Sequence, residues 1–503
     1  MRIRLGRDMV DLASTYVFYG LTLVVGIVSI PIFYQTYGKA VYGAYLLSFG
    51  LATSLTFLDL GAGRSMLRYT AEYVVDRDVP KFTSRYATSL LFAIGSAGIA
   101  MLIFAGLAFF GDLVFNLESV APRVARDLFL LAAVRACVYF LADVSVNVTN
   151  SLGLFKIRSF YQGLWLSSRV GLVALIYFYA VDIRVVAILE IGIALGSWGI
   201  DVLLLKRQQV AWPPVQEIFN TRGLTDSEQY TYGKSLVKIG LLNYFSQNAD
   251  KLIISSFLGV SYVAIYEVIR KPYSVLKSLL AKVYVVFNPI FVKVDAEFDR
   301  KTLLQSTNLA TRFLTATTVA IITSCVVAMP VILDFWVDEP EIQSYTIYAQ
   351  LFLATLLTRA LHSPLYRAMI STGATRPIFR MELVLVLLNV VVSIGLIQAL
   401  GLGSVILGTA LQVVFALPLL YFLSKPFRAG TAIRLPDRNS LLMSMALVGV
   451  AAIAMWLVSP DGHYLGSSMA TIGTLVLSII LIQAIGLRTV YVPMRSIRAK
   501  LKH

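Results

Sequence analysis

Cysteine, histidine and charge are all scarce in this chain, and each scarcity removes a class of chemistry. The 503 residues include 2 cysteines and 3 histidines. Cys137 and Cys325 fall inside long apolar runs, where a thiol packs as a small hydrophobe, so no disulfide framework is expected. His362, His463 and His503 are scattered, no Cys/His spacing marks a metal site, and no cofactor is expected. Charged residues make up 14% of the chain against 58% hydrophobic ones, too few charges for a soluble protein of this length. The charge that is present is lopsided, with 43 Lys and Arg against 28 Asp and Glu and a formal net charge of +15. That excess invites a nucleic-acid reading, and its placement decides the matter.

The apolar residues recur in runs long enough to cross a bilayer, which takes about 20 residues of helix. They lie near 11–33, 41–63, 87–110, 128–150, 159–180, 183–205, 236–258, 262–291, 309–333, 345–370, 378–400, 404–423, 440–458 and 466–487. The first is too long and too polar-studded for a cleavable signal peptide, and no small-residue cleavage site follows it, so it reads as the first span. With the N-terminus in the cytoplasm, most of the basic residues fall in inside segments, and the outside loops hold only Lys39, Arg123, Arg126 and Arg184. That asymmetry satisfies the positive-inside rule and predicts an all-α, multi-pass membrane protein of about fourteen spans with both termini cytoplasmic. The basic surplus is topological, and no nucleic-acid partner is expected.

No soluble stretch is long enough to fold around a core of its own. The longest inside connection, 206–235, carries Trp212-Pro213-Pro214, Gly233 and mixed charges without apolar periodicity, and reads as a linker between two lobes. The two sides of it resemble each other. Gly38-Lys39-Ala40-Val41-Tyr42-Gly43-Ala44-Tyr45 and Gly259-Val260-Ser261-Tyr262-Val263-Ala264-Ile265-Tyr266 share a glycine, a small residue five positions on and a tyrosine seven positions on, each at the first hairpin of its half. A duplicated six-helix lobe is therefore expected, the copies parallel and related by an axis along the membrane normal. The organisation predicted is 1–205 for the first lobe, 206–235 for the linker, 236–423 for the second lobe, and 424–503 for two additional helices with a basic tail.

Within the spans sit charges that hydrocarbon disfavours by about 2.5–3.5 kcal/mol each, so they are expected to face a bundle interior or a wet cavity. At ~100° per residue, Arg270, Lys277 and Asn288 align within about 20°, with Glu267, Lys271 and Lys282 on the same side of that helix. Arg135, Tyr139, Asp143, Asn147 and Asn150 share an arc of about 120° in the fourth span. Glu190, Ser197 and Asp201 share a line in the sixth span, Asn243, Gln247 and Asp250 in the seventh, and Glu382, Asn389 and Ser393 in the eleventh. By position, Arg169, Glu190 and Arg359 lie near mid-membrane, whereas Asp59, Lys277, Lys282 and Glu382 lie toward the cytoplasm. Some of these charges have a purely structural account: Asp250 with Lys251 and Glu267 with Arg270 as stabilising pairs, Lys282 and Glu382 snorkelling to the interface. As a set, the cations outnumber nearby anions, and an anionic ligand, a phosphate or an acidic sugar, is the natural counter-charge. The substrate-binding candidates are Arg135, Arg169, Arg270, Lys271, Lys277 and Arg359. The ion-coupling candidates, for H+ or Na+, are Asp59, Asp143, Glu190 and Asp250.

Tyr139, Tyr161, Trp165, Tyr244, Tyr266, Tyr273 and Tyr284 interleave with these polar faces, which suits stacking on sugar rings; ordinary packing is the alternative, favoured for Tyr34, Tyr37 and Tyr42 near span ends. Pro272 and Pro289 stand where they bend the eighth span.

The stretch Ser29-Ile30-Pro31-Ile32-Phe33, Gly38-Lys39, Tyr42-Gly43-Ala44-Tyr45, then Phe57-Leu58-Asp59-Leu60-Gly61-Ala62-Gly63 and Arg68-Tyr69, resembles the start of polysaccharide transporters. These are the lipid-linked oligosaccharide (O-antigen-type) flippases of the multidrug/oligosaccharidyl-lipid/polysaccharide exporter superfamily. Asn248-Ala249-Asp250-Lys251-Leu252-Ile253-Ile254 with Leu258-Gly259 and Tyr266 resembles that family's opening of the second lobe, and Gly373 and Gly401-Leu402-Gly403-Ser404 also fit. The resemblance implies two six-helix lobes plus two helices around a cationic cavity, in a bacterial inner membrane. It implies alternating access that moves an undecaprenyl-diphosphate-linked glycan to the outer leaflet, alongside glycan polymerase or glycosyltransferase partners, with no enzymatic activity. Asp250 matches the family pattern; the arginines come from position and helical face. Two rivals stand beside this reading. A multidrug exporter should carry an acidic chamber for cationic drugs. A membrane-embedded glycan polymerase, ligase or acyltransferase should carry an organised catalytic loop, which the short outside loops and few histidines disfavour.

Overall fold

The computed structural model describes residues 5–55, 58, 61–152, 155–208, 210, 212–219, 228–285, 291, 300–371 and 374–425. The expected spans at 440–458 and 466–487 lie outside the described residues, as do Asp59, Asn288, Pro289 and Gly373. Among the described residues every regular element is helical. The long helices are α1 (Leu5–Ser54), α2 (Ala62–Asp76), α3 (Val79–Phe110), α4 (Pro122–Ser151), α5 (Phe155–Tyr179), α6 (Ile183–Arg207), α8 (Glu228–Phe257), α9 (Val260–Val285), α10 (Arg300–Val337), α12 (Thr346–Ser371), α13 (Thr375–Leu400) and α14 (Leu402–Leu423). Two single-turn helices, α7 (Val215–Ile218) and α11 (Pro340–Gln343), lie in connections. Six helical segments among the described residues are long and apolar enough to cross a membrane: Gly20–Ser54, Val79–Leu113, Pro122–Ser151, Ile183–Arg207, Arg376–Leu400 and Leu402–Leu423. Shorter apolar helices run over Gly163–Tyr179 and Ile321–Val337.

Local sequence explains where the helices break. Within α1 the chain leaves helical geometry at Gly38 (φ 69°, ψ 166°), a region essentially closed to residues with a Cβ, so the first two expected spans form one kinked element. The matching glycine of the second motif, Gly259 (φ 98°), makes the corner between α8 and α9. Asp78 accepts from the Lys81 N–H at 3.0 Å and Pro80 occupies the first turn, the usual opening of a helix such as α3.

The packing separates into two units, Met1–Ile265 and Tyr266–His503. In the first, α4 is the central helix and touches α1, α2, α3 and α6. Its buried face is rich in small residues (Ala125, Ala132, Ala133, Ala136, Ser145), which lets neighbouring backbones come close where lipid supplies no hydrophobic drive. The linker region is partly built into this unit: Val210 and Ile218 are buried, and Trp212 meets the Tyr86 ring of α3 edge-on at 5.6 Å. In the second unit α13 packs on α14 and α10 on α12. A Cβ on Gly408 of α14 would lie 2.4 Å from Ser393 Oγ and 2.9 Å from the Asn389 carbonyl oxygen, so the α13–α14 crossing depends on the missing side chain. Polar groups seal it, with Asn389 Nδ2 donating to Thr409 Oγ1 at 3.1 Å and to Gln412 Oε1 at 3.3 Å.

The α2–α3 hairpin is pinned by Glu72, which receives Arg85 and, at 3.0 Å, Arg68; the Arg85 guanidinium also lies 4.1 Å from the Tyr69 ring centre. The hydrogen bond from Arg85, joined by Arg68, holds the Glu72 carboxyl below its ordinary value against the upward push of burial. A carboxyl whose folded value is depressed stabilises the fold above its unfolded value, and that contribution disappears as pH falls through the folded value. Glu72→Gln should therefore lower thermal stability in detergent at neutral pH by about 0.5–1 kcal/mol, screened as the pair is by solvent, and the deficit should vanish in acid. An unchanged neutral-pH melting temperature would contradict this.

Candidate functional site

Two charged clusters emerge, one in each unit. In the first, Arg169 of α5 donates through Nη1 to Glu190 Oε1 of α6. Burial makes this pair matter: the Glu190 side chain is 6% exposed and Arg169 29%. The guanidinium lies 5.2 Å from the ring centre of Trp165, one helical turn earlier, and the Arg169 Nε–H is buried with no hydrogen-bond partner. Glu190 has a second neighbour in Tyr45 of α1, a buried residue whose hydroxyl is set to donate to the carboxylate. Tyr45 is held in turn by stacking on Phe49 at 4.8 Å. Arg135 of α4 lies within electrostatic reach of Glu190, Arg169, Tyr45 and Tyr139. Among the described residues, two guanidinium groups thus act on one carboxylate.

The fourth-span stripe divides in the structure. Arg135 belongs to this cluster, whereas Asp143 and Asn147 pack on the first turn of α2. A Cβ on Gly63 would fall 1.7 Å from Asp143 Oδ2 and 2.8 Å from Asn147 Nδ2, so glycine at 63 is what lets the carboxylate reach a helix N-terminus, where the dipole favours negative charge. Farther along α6, buried Asp201 accepts from Thr149 Oγ1 at 3.0 Å, and Trp198 Nε1 donates to Ser145 Oγ at 3.2 Å. In α8, Asp250 is buried beside Asn248, whose Oδ1 accepts from Ser54 of α1 at 3.2 Å.

In the second unit, α9 presents Arg270 over the Tyr266 ring at 5.6 Å and Lys277 over the Tyr273 ring at 5.5 Å. Both rings pack on Phe352 of α12, with Tyr266 fully buried, so these tyrosines serve as backing for the cations and as core. Glu382 of α13 lies within electrostatic reach of Arg359 of α12 and Lys277 of α9, with the Tyr366 side chain beside it. His362 lies beside Arg359, its Nδ1 3.0 Å from the Thr358 carbonyl oxygen. Glu382 therefore meets cations inside the unit and does not merely reach for an interface. Lys271 is half-buried on the same helix; the Lys282 side chain lies outside the described residues.

The structure thus brings together Arg135, Arg169 and Glu190 in one cluster, and Lys277 and Arg359 in another. Asp143 lies against Gly63 of α2. Helical phasing misses Tyr45 and Tyr366, because their partners lie on other helices; the Tyr45 motif flags the residue but not its task.

No family model and no curated protein matches the sequence. Solved structures share its fold. The lipid II flippase MurJ, in an inward closed conformation, superposes with a TM-score of 0.73 at 14% identity, covering 96% of this chain and 100% of that chain. An inward-facing multidrug resistance MATE family transporter of the MOP superfamily gives 0.63 at 11% identity, covering 82% of this chain and 96% of that one. A MATE crystallised in the bent conformation gives 0.50 at 12% identity, covering 86% and 99%. The chain has the all-helical fold of these MurJ and MATE structures.

Proposed function

We propose that the protein is a flippase that carries a lipid-linked, undecaprenyl-diphosphate oligosaccharide or polysaccharide precursor from the cytoplasmic to the outer leaflet by alternating access through a cationic cavity. The proposal includes fourteen spans, arranged in sequence as lobes 1–205 and 236–423 with two further helices in 424–503, in a bacterial inner membrane with both termini inside. The observation that carries it is the grouping of cations within apolar helices: Arg169 on Glu190 with Arg135 in electrostatic reach, and Arg359 and Lys277 in electrostatic reach of Glu382. An anionic headgroup is the chemistry that balances such clusters. The fold shared with a lipid II flippase supports transport of a lipid-linked substrate; the fold alone does not choose a substrate. The MATE likeness favours a multidrug exporter equally at the level of fold, and the sign of the buried charge argues for the anionic cargo. Asp59, Asp143, Glu190 and Asp250 are the carboxylates proposed for an H+- or Na+-coupled step.

The test combines deletion with analysis of lipid-linked glycans and leaflet-specific labelling. Precursor should accumulate on the inner leaflet when this protein and any paralogue are absent; normal arrival at the outer leaflet would end the flippase reading. In the same cells Arg270→Ala, Lys277→Ala and Arg359→Ala should each abolish complementation at normal membrane abundance. Full function in all three would remove the cationic path.

A further inference from the structure

We infer that Glu190 is an internal stand-in for the substrate's anionic group, holding Arg169 until a phosphate or carboxylate of the substrate displaces it onto Tyr45. The inference rests on the proposed reading in one respect, that the cargo is anionic; it adds which atoms receive the charge and what must leave to admit it. Four observations support it.

The first is charge balance. Arg135 and Arg169 face one carboxylate, and the other titratable groups around it, Tyr45 and Tyr42 of α1 and Tyr139 of α4, are neutral phenols. Among the described residues the cluster is one negative charge short, and a buried site short of an anion is a site for one.

The second is the use made of the Arg169 fork. A guanidinium presents its donors in a fixed plane, and the edge bearing Nε–H accepts two oxygens of a carboxylate or phosphate side by side. Glu190 takes Nη1, at the end of the fork, and leaves the buried Nε–H without a partner. The side edge of the fork is therefore open to a second anion.

The third is rigidity. Trp165 lies against the guanidinium at 5.2 Å, so the plane stays oriented when the carboxylate leaves, and binding need not order the side chain afresh. The fourth is the fate of the displaced carboxylate. The Tyr45 hydroxyl already faces Glu190, so the anion retains a donor after Arg169 turns to the ligand. Glu190 is thus a competitor with a place to wait, which offsets the repulsion between the two arginines in an empty site and makes release of substrate favourable.

Inorganic pyrophosphate, titrated into the purified full-length protein in detergent and followed by calorimetry, tests this directly. Glu190→Gln removes the competing charge while keeping a hydrogen-bond acceptor for Arg169, and should bind pyrophosphate about tenfold more tightly than the unaltered protein. Adding Arg169→Gln to that variant should erase the gain, and adding Arg135→Gln should reduce it. Glu190→Asp, which keeps the charge but shortens the reach to Arg169, should fall in between and carries the test if the glutamine variant fails to fold. Equal or weaker pyrophosphate binding in either folded variant would overturn the inference. So would a gain that survives loss of Arg169. Because this readout is equilibrium binding of a free anion, it fails independently of the leaflet-labelling experiment that tests flipping.

Discussion

Gly43→Leu should abolish accumulation of the folded protein. A Cβ at position 43 would lie 1.9 Å from the Val260 carbonyl oxygen and 2.7 Å from its carbonyl carbon, with the Ala264 nitrogen 3.5 Å away. The clashing atoms are backbone, so no rotamer change relieves them. Nor is Val260 free to retreat. Its N–H donates to the Asn116 carbonyl oxygen at 3.2 Å, the Asn116 N–H donates to Ser255 O at 2.8 Å, and the preceding Gly259 is fixed at φ 98° with its N–H on Ile254 O at 3.0 Å. Overpacking a tight core contact costs about 1–3 kcal/mol even where side chains can shift, and here helices must separate. Gly43→Ala should already lower the melting temperature markedly. The control is Gly95→Ala in α3, where a Cβ meets nothing within 4 Å and helix propensity alone should raise stability by up to about 1 kcal/mol. Membrane yield and thermal unfolding in detergent separate the cases; a Gly43→Leu protein that accumulates and melts normally would show that the crossing is not obligatory.

That contact also shows how far the sequence can be read. The two eight-residue motifs are visible in the sequence, and both of their leading glycines adopt positive φ. What the motif cannot reveal is that Gly43, the small residue of one copy, lies against Val260 and Ala264 of the other. Periodicity is local: it places residues on one helix face, but the partner helix is decided by tertiary packing. The fourth-span stripe makes the point. Arg135 and Asp143 share an arc on α4, yet Arg135 joins Glu190 of α6 while Asp143 packs on Gly63 of α2, because the two lie about two turns apart and meet different neighbours. In the same way Arg169 and Glu190 read as separate candidates with separate roles, one for substrate and one for an ion. Only the packing of α5 on α6 makes them a pair. The 206–235 linker is legible as a connection from its Pro, Gly and charges, but the docking of Trp212 on Tyr86 has no local signature.

The clusters share a composition that helps to explain why charge survives in such apolar helices. Glu190 has Arg135, Arg169 and Tyr45; Glu382 has Arg359, Lys277 and Tyr366. In each, the carboxylate lowers the penalty of burying the first cation, and the tyrosine supplies a neutral donor that adds no charge of its own.

Arg169→Leu should be the most damaging single change within the first cluster. It leaves the Glu190 carboxylate, 6% exposed, without the guanidinium that pairs it, and breaking one side of a buried ion pair typically costs about 3–5 kcal/mol. Arg135 and Tyr45 still face the carboxylate and should hold the loss toward the lower end of that range. Glu190→Leu should also destabilise, because it leaves Arg169 and Arg135 facing each other with no anion. The double replacement removes the pair together, so the loss should be clearly smaller than the sum of the singles, with a coupling of about 1–3 kcal/mol for groups in direct contact. Thermal unfolding of the four proteins in one detergent measures the cycle. Additive losses would mean that the pair contributes nothing as a pair, and Glu190 would then have to be explained by Tyr45 and Arg135 alone. Strong coupling in stability together with tighter anion binding by Glu190→Gln would mark Glu190 as a carboxylate that the fold requires and the ligand must move.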